Sequence, residues 1–180
     1  ARFLDYVDHR AGLLVGRGGG EGYPTLYTFP HRTFQEYLAG CHIVSQRDVS
    51  REVWRRVREG DYWYLAAQLG AEDLLYNRRN DYVLLDVAYR LCPAAEPEEA
   101  YGWRAILWSG QMAALLGRLF VMDDDDTPDG GQAYLEKLLE RLIGLIEGNR
   151  LSAPERVDAG LVLARLGDPR PGVGLGPDGL

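Results

Sequence analysis

Leu135, Leu138, Leu139, Leu142, Ile143 and Ile146 recur at intervals of three and four residues. Side chains so spaced share one side of an α-helix but split between the two faces of a β-strand. This segment is therefore expected to be a helix whose apolar stripe needs another element to cover it. Helical spacing continues through almost everything after residue 48 and predicts helices over 49–59, 61–69, 71–77, 80–91, 98–121, 131–147 and 153–166. Ser152, with Glu155 three residues on, supplies the last of them with a capping box. The fold class read from this pattern is mainly α.

The N-terminal part differs. The runs "LLVGR" and "TLYTF" are strand-like, and the glycine-rich "GGGEGYP" lies between them. This predicts a β-hairpin with strands near 13–17 and 25–29. Before it, Phe3, Leu4 and Val7 have helical spacing in a short segment that Gly12 stops. "MDDDDTPDGG", 122–131, reads as a loop, and "GDPRPGVGLGPDGL" at the C-terminus reads as a linker. The organisation expected is an N-terminal part over 1–48, a helical domain over 49–167 and a Gly/Pro-rich linker over 168–180. No strict self-repeat is visible. Short amphipathic helices joined by tight loops fit HEAT-like stacking, and they also fit a compact irregular helical domain.

Several function classes find no support. A formal net charge of −7 opposes a general affinity for nucleic acid. Lys137 is the only lysine beside many arginines, a bias expected of a GC-rich genome or a thermophile. Cys41 and Cys92 are the only cysteines and have no CxxC spacing, so a reducing cytosol is the expected compartment. No apolar run reaches the roughly 18 residues of a membrane helix, and the N-terminus has no signal-peptide core. The chain starts without Met, as a piece of a longer protein would. Neither GxxxxGK[ST] nor GxGxxG occurs, and "GRGGGEG" lacks both the Lys and the Ser/Thr of a phosphate-binding loop. No catalytic residue, metal site or cofactor is therefore expected within these residues, and the chain itself is not expected to be an enzyme. Asp123 to Asp126 lack EF-hand spacing and read as solvated charge. Cys41 and His42 are neighbours and point to different sides of a helix, so Cys41 reads as a small core residue. Trp54, Trp63, Trp103 and Trp108 read as helix-packing anchors. "WRRVRE", 54–59, reads as a solvated face with internal ion pairs.

The densest local information lies in "TFPHRTFQEYLAG", 28–40. Thr33 and Glu36 match a capping box, with Thr33 as N-cap. Phe34, Tyr37, Leu38, Cys41 and Val44 form an apolar stripe that is expected to be buried, with Phe34 and Leu38 at its centre. His31 precedes this helix. A helix start offers free amides and a positive dipole end, and an imidazole there can donate a hydrogen bond to a phosphate. The other reading is a histidine bonded to a neighbouring carbonyl.

The hairpin followed by "YTFPHRTFQEYLAG" resembles the end of the winged-helix domain in NACHT-type STAND NTPases. These include bacterial signalling proteins and animal NOD-like receptors. The matching residues are Phe29, His31, Phe34, Gln35, Glu36, Tyr37, Leu38 and Ala39, and "RAGLLVGRG" resembles the strand entry of that domain. The likeness covers about residues 10 to 48, a fifth of the chain. It implies that residues 1–48 are the C-terminal part of a winged-helix domain, with a helical domain beyond. The family histidine at the position of His31 touches the β-phosphate of bound ADP in the resting state. The tail, "ARLGDPRPGVG" and then "DGL", resembles the segment leading into a formylglycine-generating-enzyme-like module. Together these imply a regulatory and scaffold segment of a bacterial, cytoplasmic signalling ATPase. ADP or ATP with Mg would sit in the parent protein and none in this piece. The partners implied are the nucleotide-binding core and the C-terminal module of the same longer chain, with oligomerisation on activation. Nucleic acid and membrane are not implied. The alternative is a plain helical interaction or spacer module with no nucleotide role.

Overall fold

Glycines and a proline mark the punctuation of this chain, and apolar periodicity fills the rest. A computed structural model describes residues 14–18, 25–125 and 130–172. The short helix expected around Phe3 to Val7, much of the glycine-rich turn and the end of the tail lie outside the described residues. Strands β1 (Val15–Gly18) and β2 (Thr25–Thr28) form an antiparallel pair in which Val15 faces Thr28 and Gly18 faces Thr25. The described strands are a residue or two shifted from 13–17 and 25–29, within the usual uncertainty of element ends.

Eight α-helices follow among the described residues: α1 (Arg32–Val44), α2 (Val49–Glu59), α3 (Tyr64–Glu72), α4 (Asp81–Leu91), α5 (Ala100–Leu116), α6 (Arg118–Met122), α7 (Gly130–Glu147) and α8 (Ala153–Leu166). Two expectations are corrected. The helix expected over 98–121 is two helices, because Gly117 has φ 94°, a conformation that ends α5 and that a side chain would resist. The separate helices expected over 61–69 and 71–77 are one rod. A 3₁₀ turn (Asp61–Trp63) leads into α3, which runs directly into a π-helical turn (Asp73–Asn77). Gly70 does not break it, because α1 crosses there and needs a residue without a side chain. The capping box of α8 forms as expected, with the Glu155 carboxylate accepting from the Ser152 amide at 3.0 Å.

Helix α5 is the axis of the core. Trp103, Ile106, Leu107 and Ala113 are buried on different sides of it, against α4, α7 and α8. Leu135, Leu138, Leu142 and Leu145 bring the α7 stripe into the same cluster, and Leu163 and Leu166 bring α8. Fully burying a leucine stabilises by about 1.5–3 kcal/mol, so this layer carries most of the fold. One polar group inside it is satisfied. Ser109 Oγ donates to the Ala88 carbonyl at 2.6 Å and lies 2.7 Å from the Tyr134 hydroxyl. The core also crosses the division expected at 48/49, since Ile43 and Val44 of α1 belong to the same buried cluster as α3 and α4.

The four tryptophans anchor helices. Trp103 and Trp108 are buried, and Trp54 and Trp63 pack against the cluster edge. Cys41 is only half-buried, whereas Cys92 is buried and its thiol is pushed up to about 11 by desolvation. "WRRVRE" carries internal ion pairs, Arg55–Glu59 at 3.2 Å and Arg56–Glu59 at 3.0 Å, and Arg56 also pairs with Glu52 one turn earlier at 2.6 Å. No helix among the described residues is long and apolar enough to cross a membrane.

Candidate functional site

The segment between β2 and α1 brings the resemblance residues to one edge of the molecule. Pro30 has no amide to donate and biases Phe29 towards an extended conformation, so the strand ends cleanly before the helix. His31 is extended (φ −121°, ψ 127°) and takes the N-cap position, with its carbonyl accepting from the Phe34 amide at 3.2 Å. This corrects the expected cap. Thr33 lies inside the first turn, and no side chain caps this end. Glu36 does not reach back to Thr33; it accepts from Arg32 Nε at 2.7 Å. An i,i+4 ion pair along the helix competes for the same carboxylate, and starting the helix at Arg32 puts that pair in register.

Phe34 and Leu38 are a second correction. They remain 43% and 51% exposed, and Tyr37 and Leu26 are exposed as well. The buried side is turned from the expected stripe and runs through Gly40, Ile43 and Val44, of which Val44 alone belongs to that stripe. The reason is the crossing with α3. Gly40 and Gly70 let the two backbones approach so closely that a Cβ on Gly40 would lie 2.4 Å from the Ala66 carbonyl oxygen. Contact of that kind fixes which side of α1 faces inward, and Phe34 and Leu38 lie off that side.

The far end of α1 is tied down by a charged cluster. Asp73 is buried and accepts from Arg78 Nε at 2.6 Å and from Asn77 at 2.8 Å. Arg78 also donates to the Cys41 carbonyl at 3.3 Å and to Ser45 Oγ at 3.0 Å, covering the C-terminal end of α1 with a positive charge. The Asn77 amide and then Arg78 hold the Asp73 carboxyl below its ordinary range, against the opposing effect of burial. Tyr37 reaches the same carboxylate at 3.4 Å, and its hydroxyl is raised by the Cys41 thiol first and by Asp73 next. The links from Arg78 to Cys41 and Ser45 and from Tyr37 to Asp73 each span more than thirty residues of sequence, and no local motif announces them.

The arrangement presents an exposed imidazole 5.9 Å from the Phe34 ring, at an uncapped helix start that also carries Arg32. Chemically it can accept an anion at its amides and pair it with cationic or donating side chains. Among the described residues no group of three or more His, Cys, Asp or Glu could hold a metal ion. Asp124 instead accepts from the Tyr89 hydroxyl at 2.6 Å. No family model matches the chain, and comparisons with curated proteins and with solved structures find no match.

Proposed function

We propose that this chain is a regulatory and scaffold segment of a NACHT-type STAND signalling ATPase. In this reading residues 1–48 complete a winged-helix domain and the helices beyond, arranged in a HEAT-like manner, relay nucleotide state to a sensor or effector module. The observation that carries it is a juxtaposition: His31 stands exposed at an uncapped helix start, beside the uncovered apolar side chains of Phe34 and Leu38. Those are residues of the motif that carries the resemblance. A nucleotide-binding core seated on this face would cover the apolar side chains and bring a terminal phosphate to His31. An imidazole donates one hydrogen bond when neutral and two when protonated, and a charge-assisted bond to phosphate is the stronger. A γ-phosphate would occupy the space that the closed arrangement needs, so exchange of ADP for ATP would release the segment.

The test is release of a fluorescent ADP from the longer protein that carries the phosphate-binding loop. His31→Ala removes one hydrogen bond to a charged group, about 1.5–3 kcal/mol, which is roughly a tenfold to hundredfold faster release if it falls on the off-rate. Equal release from two equally stable proteins would leave the spacer reading in its place.

A further inference from the structure

A second surface lies along α2, where Trp54 packs against the edge of the core. Two contiguous depressions of about 780 and 800 Å³ share Asp48, Ser50, Arg51 and Arg90 and form one elongated groove along α2 and α4. Six arginines line it against three carboxylates, in a protein whose net charge is −7. Some of these arginines are committed: Arg90 pairs with Asp86 at 2.9 Å, Arg55 with Glu59 at 3.2 Å, and Arg78 with Asp73 at 2.6 Å. Arg47, Arg51 and Arg58 have no carboxylate within ion-pair distance among the described residues, and all three are exposed. Arg58 lies over the Trp54 ring, 5.9 Å from its centroid, and over Tyr101 at 5.4 Å, so its guanidinium is preorganised.

We infer that this groove binds an extended acidic polypeptide segment of a partner protein, with its carboxylates spaced along the chain rather than clustered. The spacing follows from the helix. Arg51 and Arg58 are seven residues apart, about 10 Å along the axis at 1.5 Å per residue. A polyproline-II chain, rising about 3.1 Å per residue with three residues per turn, covers about that distance in three residues and keeps every third side chain on one side. A carboxylate at every third position therefore meets successive guanidinium forks, each of which can bind bidentately. Trp54 lies between the two arginines on the same side of α2 and offers an apolar wall to the residues in between. Its indole N–H is already satisfied by the Arg90 carbonyl at 2.9 Å, so the wall asks nothing polar of the partner. Asp48, Glu59 and Asp86 at the groove would repel the denser charge of a nucleic-acid backbone.

The probe is a short fluorescein-labelled peptide of repeated Glu-Pro-Leu, whose extended conformation keeps the glutamates about 9 Å apart. Fluorescence anisotropy should show saturable binding that weakens with added salt, as screening shortens from about 10 Å at 0.1 M to 3 Å at 1 M. The double variant Arg51→Glu, Arg58→Glu should weaken it at least about tenfold, whereas Arg165→Glu on α8 should leave it unchanged. A peptide of the same composition with its glutamates in one block should bind distinctly less well. Circular dichroism confirms that each variant is folded. Absence of saturable binding, equal loss in Arg165→Glu, no loss in the double variant, equal affinity for the blocked peptide, or equal affinity for a single-stranded oligonucleotide would each overturn the inference.

Discussion

The crossing of α1 and α3 makes a prediction whose sign is opposite to what helix propensity alone would give. Alanine is favoured over glycine inside a helix by about 1 kcal/mol, so Gly40→Ala should stabilise if propensity ruled. At this site the new Cβ would stand 2.4 Å from the Ala66 carbonyl oxygen and 2.7 Å from the Gly70 nitrogen. Ordinary contact begins near 3.4 Å, and the obstructing atoms are helix backbone, which cannot swing aside. The helices must separate by about 1 Å, and that movement loosens Ile43 and Val44, which are both buried beside the crossing. Overpacking costs about 1–3 kcal/mol, and the lost apolar contact adds to it, so the net expectation after the propensity gain is a loss of about 2 kcal/mol. Gly160 on α8 is the internal control, since a Cβ there meets nothing within 4 Å. Gly160→Ala should stabilise by about 0.5–1 kcal/mol. Urea titration followed by far-ultraviolet circular dichroism reads both variants, and the two midpoints should move in opposite directions. If Gly40→Ala proves as stable as the unaltered protein, the close backbone approach does not exist in solution.

Two further outcomes follow from burial and charge. Leu38→Ala should cost less than about 1 kcal/mol in this chain, whereas Leu142→Ala, at a position of 0% exposure, should cost about 2–5 kcal/mol; equal losses in denaturant titration would show that Leu38 is buried after all. The Asp73 carboxyl is held below its ordinary value in the folded chain, so its contribution is complete above the unfolded value of about 3.9 and is lost as pH falls through the folded value. Glu155 acts in the same direction, because Ser152 and Arg104 outweigh the effect of its burial. Arg78→Ala removes one cause of the Asp73 shift and should flatten the acid side of the stability profile below pH about 4, and an unchanged profile would refute the linkage.

Much of this molecule could be read along the chain. The spacing from Leu135 to Ile146 required a helix, and Leu135, Leu138 and Leu142 are buried as that stripe demands. The pair Ser152 and Glu155 specified the start of α8, and two β-prone runs around glycines specified the hairpin. These are local matters, decided within a turn or a strand pair by residues that are neighbours in sequence. The candidate site was legible only in part. Sequence placed His31 just before a helix, yet it assigned the cap to Thr33, because a capping-box pattern does not reveal that Arg32 takes the Glu36 carboxylate first. It also turned Phe34 and Leu38 inward. An apolar stripe states that a helix has a side to cover, but which covering element meets which side depends on residues elsewhere. Here Gly70, thirty residues beyond Gly40, decided the orientation by allowing backbone contact at one point of α1. The same holds for Arg78 across the end of α1 and for the alignment of Arg51, Trp54 and Arg90 along one groove. Such contacts join residues far apart in the chain, and only the packed tertiary structure brings them within reach of one another.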